Sequence, residues 1–162
     1  MLIKESLLHY VSYNLWANKR IAEVLLKIDP SLEDKELKSS FPSLRKTVHH
    51  IWDAELAWLS RLKKEEVKWP PSAQFNNPSI DQFVNTSKDF LDYLSAKDEN
   101  YFESSTSYKN IKGESFTTAN HWMIMHCMNH STFHRGQVVT ILRELGVTEI
   151  PATDLINFIR QQ

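Results

Sequence analysis

Apolar residues recur at three- and four-residue spacing through four long stretches of this chain, and that period commits each stretch to an amphipathic helix. Over residues 2–28 the stripe contains Leu7, Leu8, Val11, Leu15, Ile21, Val24, Leu25 and Ile28. Pro30 follows it as a stop. Ser43 is placed to cap a second helix that runs to about Lys64, with Leu44, Val48, Ile51, Leu56, Leu59 and Leu62 in phase. Ser79 and Gln82 have capping-box spacing and open a third helix running to about Tyr101. A fourth begins near Thr117 or Thr118 and continues to Leu145, and Gly146 suits the position just past its end.

Residues 31–42 and 65–78 read as connections, the first with room for one helical turn. Residues 103–116 are rich in Ser, Thr and Tyr around Asn110-Ile111-Lys112-Gly113 and read as a short hairpin over the end of the helices. Pro151, Thr153 and Asp154 introduce a short terminal helix to about Arg160. The expected fold is therefore all-α: a four-helix bundle in one domain over residues 1–162, with a hairpin before the fourth long helix and a short C-terminal helix. The connections are long for a simple up-down-up-down bundle and favour a crossover. Gly113, Gly136 and Gly146 are the only glycines, which disfavours a turn-rich all-β fold and phosphate-cradling loops.

Formal net charge is −1, so no overall field draws the chain to nucleic acid or an anionic membrane, and no basic recognition helix stands out. Lys63-Lys64 is followed at once by Glu65-Glu66 and reads as a solvated helix end. No apolar run approaches the roughly 18 residues that would span a bilayer. A single cysteine, Cys127, forms no intramolecular disulfide. The N-terminus lacks a basic n-region. The expected location is the cytoplasm.

Histidine carries the chemical signal. His126, His130 and His134 stand at i, i+4 and i+8. Each step of four turns about 40° around a helix, so the three form a slanting row on one face. Neighbours in that row are close enough to chelate one ion, and imidazole suits Zn²⁺, Ni²⁺, Cu²⁺ or Fe²⁺. A third ligand has to come from another helix. His49 and His50 are available on the second helix, pointing about 100° apart, and spacing alone leaves the choice open. His9 and His121 read as ordinary structural histidines, since histidine tolerates part-burial.

The segment Asn129-His130-Ser131-Thr132-Phe133-His134-Arg135-Gly136-Gln137 resembles the NHxxxHRGQ signature of the DinB/YfiT-like family of metal-dependent proteins. His50-Ile51-Trp52-Asp53-Ala54-Glu55-Leu56-Ala57-Trp58 resembles that family's helix-two motif, and Tyr13-Asn14-Leu15-Trp16-Ala17-Asn18 its helix-one motif. Leu142-Arg143-Glu144-Leu145-Gly146 and Asp154 resemble its C-terminal stretch. The resemblance implies a metal triad of His50, His130 and His134, with His126 outside it. It also implies a down-up-up-down bundle and a homodimer.

Three neutral nitrogens leave a coordination position open, as catalytic sites do. An ion there, Zn²⁺ or Ni²⁺ foremost, would activate a bound water or thiol. Some relatives resemble S-transferases or isomerases that use bacillithiol, mycothiol or glutathione, which implies a low-molecular-weight thiol and a small-molecule substrate here. A metal-dependent hydrolase and a non-catalytic metal-binding stress protein are the other readings. Asp53, Glu55, Asn18, Asn129 and Gln137 are candidates to orient the ligands. Arg135 is expected in an interhelical salt bridge with a residue such as Glu55, rather than on a substrate carboxylate. Cys127 reads as a buried small hydrophobe. Trp16, Trp52, Trp58 and Trp122 read mostly as core, and Trp69 as lining a pocket or subunit contact.

Overall fold

Each apolar stripe becomes a helix, and side-chain caps at Ser43 and Ser79 start the second and third of them. The computed structural model describes residues 3–75 and 78–162; the expected helix start at residue 2 and the loop pair Asn76-Asn77 lie outside that range. The four long helices are α1 (Ile3–Leu25), α2 (Leu44–Lys63), α3 (Ile80–Ser95) and α5 (Asn120–Glu144). Between the last two lie the short helix α4 (Glu99–Glu103) and the strands β1 (Ser105–Lys109) and β2 (Ser115–Ala119). The short helix α6 (Leu155–Ile159) follows α5. The fold is mostly helical but not all-α, because β1 and β2 pair antiparallel, Ser105 opposite Ala119.

Four boundaries differ from expectation. Helix α1 stops at Leu25 rather than residue 28, because Asp29 precedes a proline and is extended. Asp29 then caps a 3-10 turn at Pro30–Leu32 by accepting from the Ser31 amide at 2.9 Å. The third helix does not reach Tyr101. Asp98 caps α4 instead, accepting from the Tyr101 amide at 2.9 Å, and the Lys4 ammonium donates to the Ser95 and Lys97 carbonyls left at the end of α3. The hairpin extends to Ala119, so α5 begins at Asn120. Asn120 ties that start down through Nδ2 to the Tyr101 carbonyl at 2.8 Å.

Direction follows from which ends meet. The Tyr93 hydroxyl near the end of α3 donates to the Leu62 carbonyl near the end of α2, so these two run parallel. Lys4, at the start of α1, meets the end of α3. Trp58, late in α2, meets His126, early in α5. Helices α1 and α5 thus run opposite to α2 and α3. Helix α1 packs on α3 and α5, and α2 packs on the same two, which puts α1 and α2 at opposite corners. Among the described residues no helix is long and apolar enough to cross a membrane.

The core is split. One apolar cluster holds Leu7, Val11, Leu59, Leu62, Phe90, Leu94 and Met123. The other holds Ile21, Val24, Leu44, Val48, Ile51, Phe83, Val138 and Ile141. Between them lies a buried polar layer contributed by all four long helices: Asn14, Asn18, Glu55, Ser87, Ser131 and Arg135.

Two helix ends use the same left-handed geometry with different residues. Gly146 has φ +86 and closes α5, with its amide on the Arg143 carbonyl and that of Val147 on the Leu142 carbonyl. Lys64 has φ 61 and closes α2, with Glu65 donating to the Ser60 carbonyl at 2.8 Å. A Cβ in that region carries a steric cost that glycine escapes. Gly146→Ala is expected to lower unfolding free energy by about 1 kcal/mol and Lys64→Gly to raise it by up to about 1 kcal/mol. Urea unfolding of both proteins reads the two signs, and equal signs would reject this account.

Candidate metal centre

Helix geometry does the first half of the assembly. His130 and His134 are one turn apart on α5, and their ring centroids lie 4.3 Å from each other. The antiparallel packing of α2 on α5 does the second half. It presents His50 to both rings, at 4.8 Å from His130 and 4.5 Å from His134. One ring nitrogen from each residue falls within 4.8 Å of the others. Among the described residues these three form the group of histidines, cysteines and acids that could hold a metal ion.

The donor set fits a divalent cation. His50 Nε2 and His130 Nε2 stand 2.9 Å apart, close to the separation of two ligand atoms each about 2.0–2.1 Å from one ion. Gln137 Nε2 donates to Ser40 Oγ at 3.2 Å, which turns its Oε1 toward His134 Nδ1 at 2.7 Å. That contact assigns the proton of His134 to Nδ1 and leaves its Nε2 lone pair for the cluster. His130 Nδ1 is buried without a partner. Burial holds His50 well below the usual imidazole range, to about 4, helped by His134. It holds His130 down to about 3, helped by His134, His50 and His126. Both rings are therefore neutral at pH 7; one Nε2 carries the proton of their 2.9 Å contact, and that proton must shift to the same ring's Nδ1 before both Nε2 atoms can face a cation.

Of the expected orienting residues, only Gln137 touches a ligand candidate. Asp53 instead accepts from the Ser72 amide at 2.7 Å and so fixes the loop after α2. Asn129 is exposed. Glu55 and Asn18 belong to the buried layer. There Glu55 accepts from Asn14, Asn18, Ser87 and Ser131 at 2.6–2.9 Å. Arg135 forms no direct ion pair with Glu55. It donates to Asn14 Oδ1 and Asn18 Oδ1, which pass the link to Glu55 through their own amides, and to Thr132 Oγ1 at 2.8 Å.

His126 and His49 stay outside the group. His126 packs edge-on to Trp58 at 4.9 Å, with its ring 6.2 Å from His130. His49 packs on Trp52. Cys127 is fully buried, and burial pushes its thiol well above the usual range, so it is not available as a thiolate. Trp122 is 58% exposed, contrary to its expected place in the core, because it lies on the outer face of α5. Phe41 is a neighbour that spacing could not reveal. It arrives from the connection before α2 and stacks on His50 at 4.1 Å, and its only sequence mark is the Phe41-Pro42 pair that ends that connection.

A sequence model of the DinB family matches residues 1–162. Protein DinB of Bacillus subtilis (strain 168) is 24% identical over 149 residues, covering 86% of this chain and 86% of that protein. A DinB-like protein from Bacillus subtilis superposes with a TM-score of 0.68 at 17% identity, over 90% of this chain and 96% of its own. One from Bacillus cereus ATCC 10987 superposes with a TM-score of 0.68 at 19% identity, over 91% and 95%. At these identities the structural likeness shows a shared fold.

Proposed function

The chain belongs to the DinB family, and from that premise we propose that it is a metal-dependent enzyme of the thiol S-transferase kind, built as one down-up-up-down four-helix bundle. The observation that carries the reading is the convergence of three imidazole nitrogens, two of them on half-buried rings, with no fourth histidine, cysteine or acid in the group among the described residues. A closed structural site would carry four protein ligands, whereas a catalytic one keeps a position free. His50, His130 and His134 would hold the ion, Zn²⁺ or Ni²⁺. Such an ion lowers the pKa of a bound thiol or water so that it reacts as the anion.

The chain's own groups prepare that site. Gln137 fixes the ring of His134. Phe41 covers one face of His50, and Trp69 stands 6.5 Å from its ring, so water is held back on that side. The thiol sulfur would form a bond to an electrophilic carbon as the leaving group departs with the bonding pair, and the thiol proton would pass to solvent. Incubating the metal-loaded protein with monochlorobimane and, in turn, glutathione, mycothiol or bacillithiol tests this. One thiol should give conjugation at least about tenfold above a His134→Ala control, a difference of about 1.4 kcal/mol in barrier. Equal rates for all three thiols would reject the transferase reading. The ring of Phe41 over His50 favours a second reading, a non-catalytic metal-binding protein, and that outcome would leave it standing.

A further inference from the structure

Arg61 is a basic side chain that the fold leaves, among the described residues, without an ion partner at the edge of a cavity. It sits late in α2, half-buried, with its guanidinium carbon 4.6 Å from the Trp58 ring centre and 5.2 Å from that of Tyr108. Among the described residues it has no carboxylate within ion-pair distance, and its Nε is buried without an acceptor. Arg20 and Arg135 also have a buried Nε without a partner, but neither lines the cavity that Arg61 borders. Arg135 is bonded to Asn14, Asn18 and Thr132, and Arg45 to Glu33 and Asp34. A desolvated donor left unpaired is costly, so an empty guanidinium edge calls for a partner. Contacts through the ring faces leave that planar edge free, and its fork matches a carboxylate.

Arg61 borders a cavity of about 780 Å³ between the end of α2, the segment after it and the hairpin. Lys64 and Lys109 add positive charge to its wall, and Glu65 and Glu66 add negative charge. None of these bonds Arg61. Two tryptophans stand between the neighbourhood of Arg61 and the histidines. Trp69 lines the cavity and stands 6.5 Å from His50. Trp58, under Arg61, stands 4.9 Å from His126, the neighbour of His130.

We propose that this cavity binds the carboxylate end of a small organic substrate or co-substrate, with Arg61 as the anion anchor and the rest of the molecule lying along Trp69 toward the histidines. The assignment of the cavity as the substrate side rests on the metal-site reading; binding of the carboxylate itself does not.

The test titrates ¹⁵N-labelled full-length protein, without metal, with 3-phenylpropionate and with its uncharged twin 3-phenylpropionamide. The indole signals of Trp58 and Trp69 report occupancy. The acid should bind about ten- to a hundredfold more tightly than the amide, the range for hydrogen bonds to a charged group. Arg61→Gln should remove that preference, Arg61→Lys should keep part of it, and Arg20→Gln should leave it intact. Equal affinity for acid and amide in the wild type, or an unchanged preference in Arg61→Gln, would overturn the proposal, and the wild-type comparison stands even if a variant fails to fold. His134→Ala should bind the acid as the wild type does. If that variant also keeps its metal, the metal reading fails while the carboxylate site stands. If metal depends on His134 but acid and amide bind alike, the carboxylate site fails alone.

Discussion

His134→Ala protein, purified beside the wild type and analysed for metal by mass spectrometry, is expected to carry almost none. In the proposed site the residue would supply one of three donors, and its ring is held by a hydrogen bond to Gln137. Loss of an outer partner of this kind alone typically costs about 10–100-fold in affinity, so Gln137→Ala should weaken binding by about that much and His134→Ala by more. His50→Ala and His130→Ala should behave like His134→Ala. His126→Ala should keep its metal, because its ring lies 6.2 Å from His130 on the far side of the group. The fold should survive these changes, since His50 and His130 are only half-buried and His134, though buried, gives up only its hydrogen bond to Gln137. Adding Zn²⁺ should therefore raise the melting temperature of the wild type and leave that of the triad variants unmoved. Full metal retention in His50→Ala and His130→Ala would remove the site.

The largest stability loss is expected at Glu55. This carboxylate is fully buried and accepts from Asn14, Asn18, Ser87 and Ser131. Its charge is balanced through the two asparagines by Arg135, itself 1% exposed. Glu55→Ala strands that guanidinium and leaves four donors short of an acceptor. Removing one member of a buried charge pair costs about 3–5 kcal/mol, a large part of the roughly 5–15 kcal/mol that holds a domain together. Urea unfolding should show a loss of that size, and a change below about 1 kcal/mol would reject the buried layer as a coupled unit. Replacing both charges, Glu55→Leu with Arg135→Met, should cost less than Glu55→Ala alone, because no uncompensated charge is left inside.

The same residues show where sequence reasoning stopped. Glu55 and Arg135 could be suspected of meeting, but not of meeting through Asn14 and Asn18. That geometry depends on α1 holding those two amides at one particular height beside α5, opposite α2. The hairpin was legible in its turn, where Asn110 Oδ1 accepts from the Lys112 and Glu114 amides at 2.9 and 3.0 Å. Its second strand was not, because Thr117 and Thr118 fit a helix start equally well until β1 is there to pair with them. Arg61 showed no motif at all. Its significance lies in what fails to reach it, which only the packed structure reveals.

Local backbone geometry is a property of the chain alone, so the sequence by itself determined the four long helices, their caps at Ser43 and Ser79, the Gly146 ending, and the shared face of His130 and His134. Helix rise and twist place those groups whatever the rest of the molecule does. Spacing left His49 and His50 undecided. The family resemblance favoured His50, and the register of α2 against α5 brings that ring to the other two and leaves His126 beside Trp58. Side chains on different helices meet only through crossing angle, height and rotation, quantities that emerge from packing the whole core. That is why the tertiary structure alone decided the third histidine's position, the Arg61 cavity and the buried layer around Glu55.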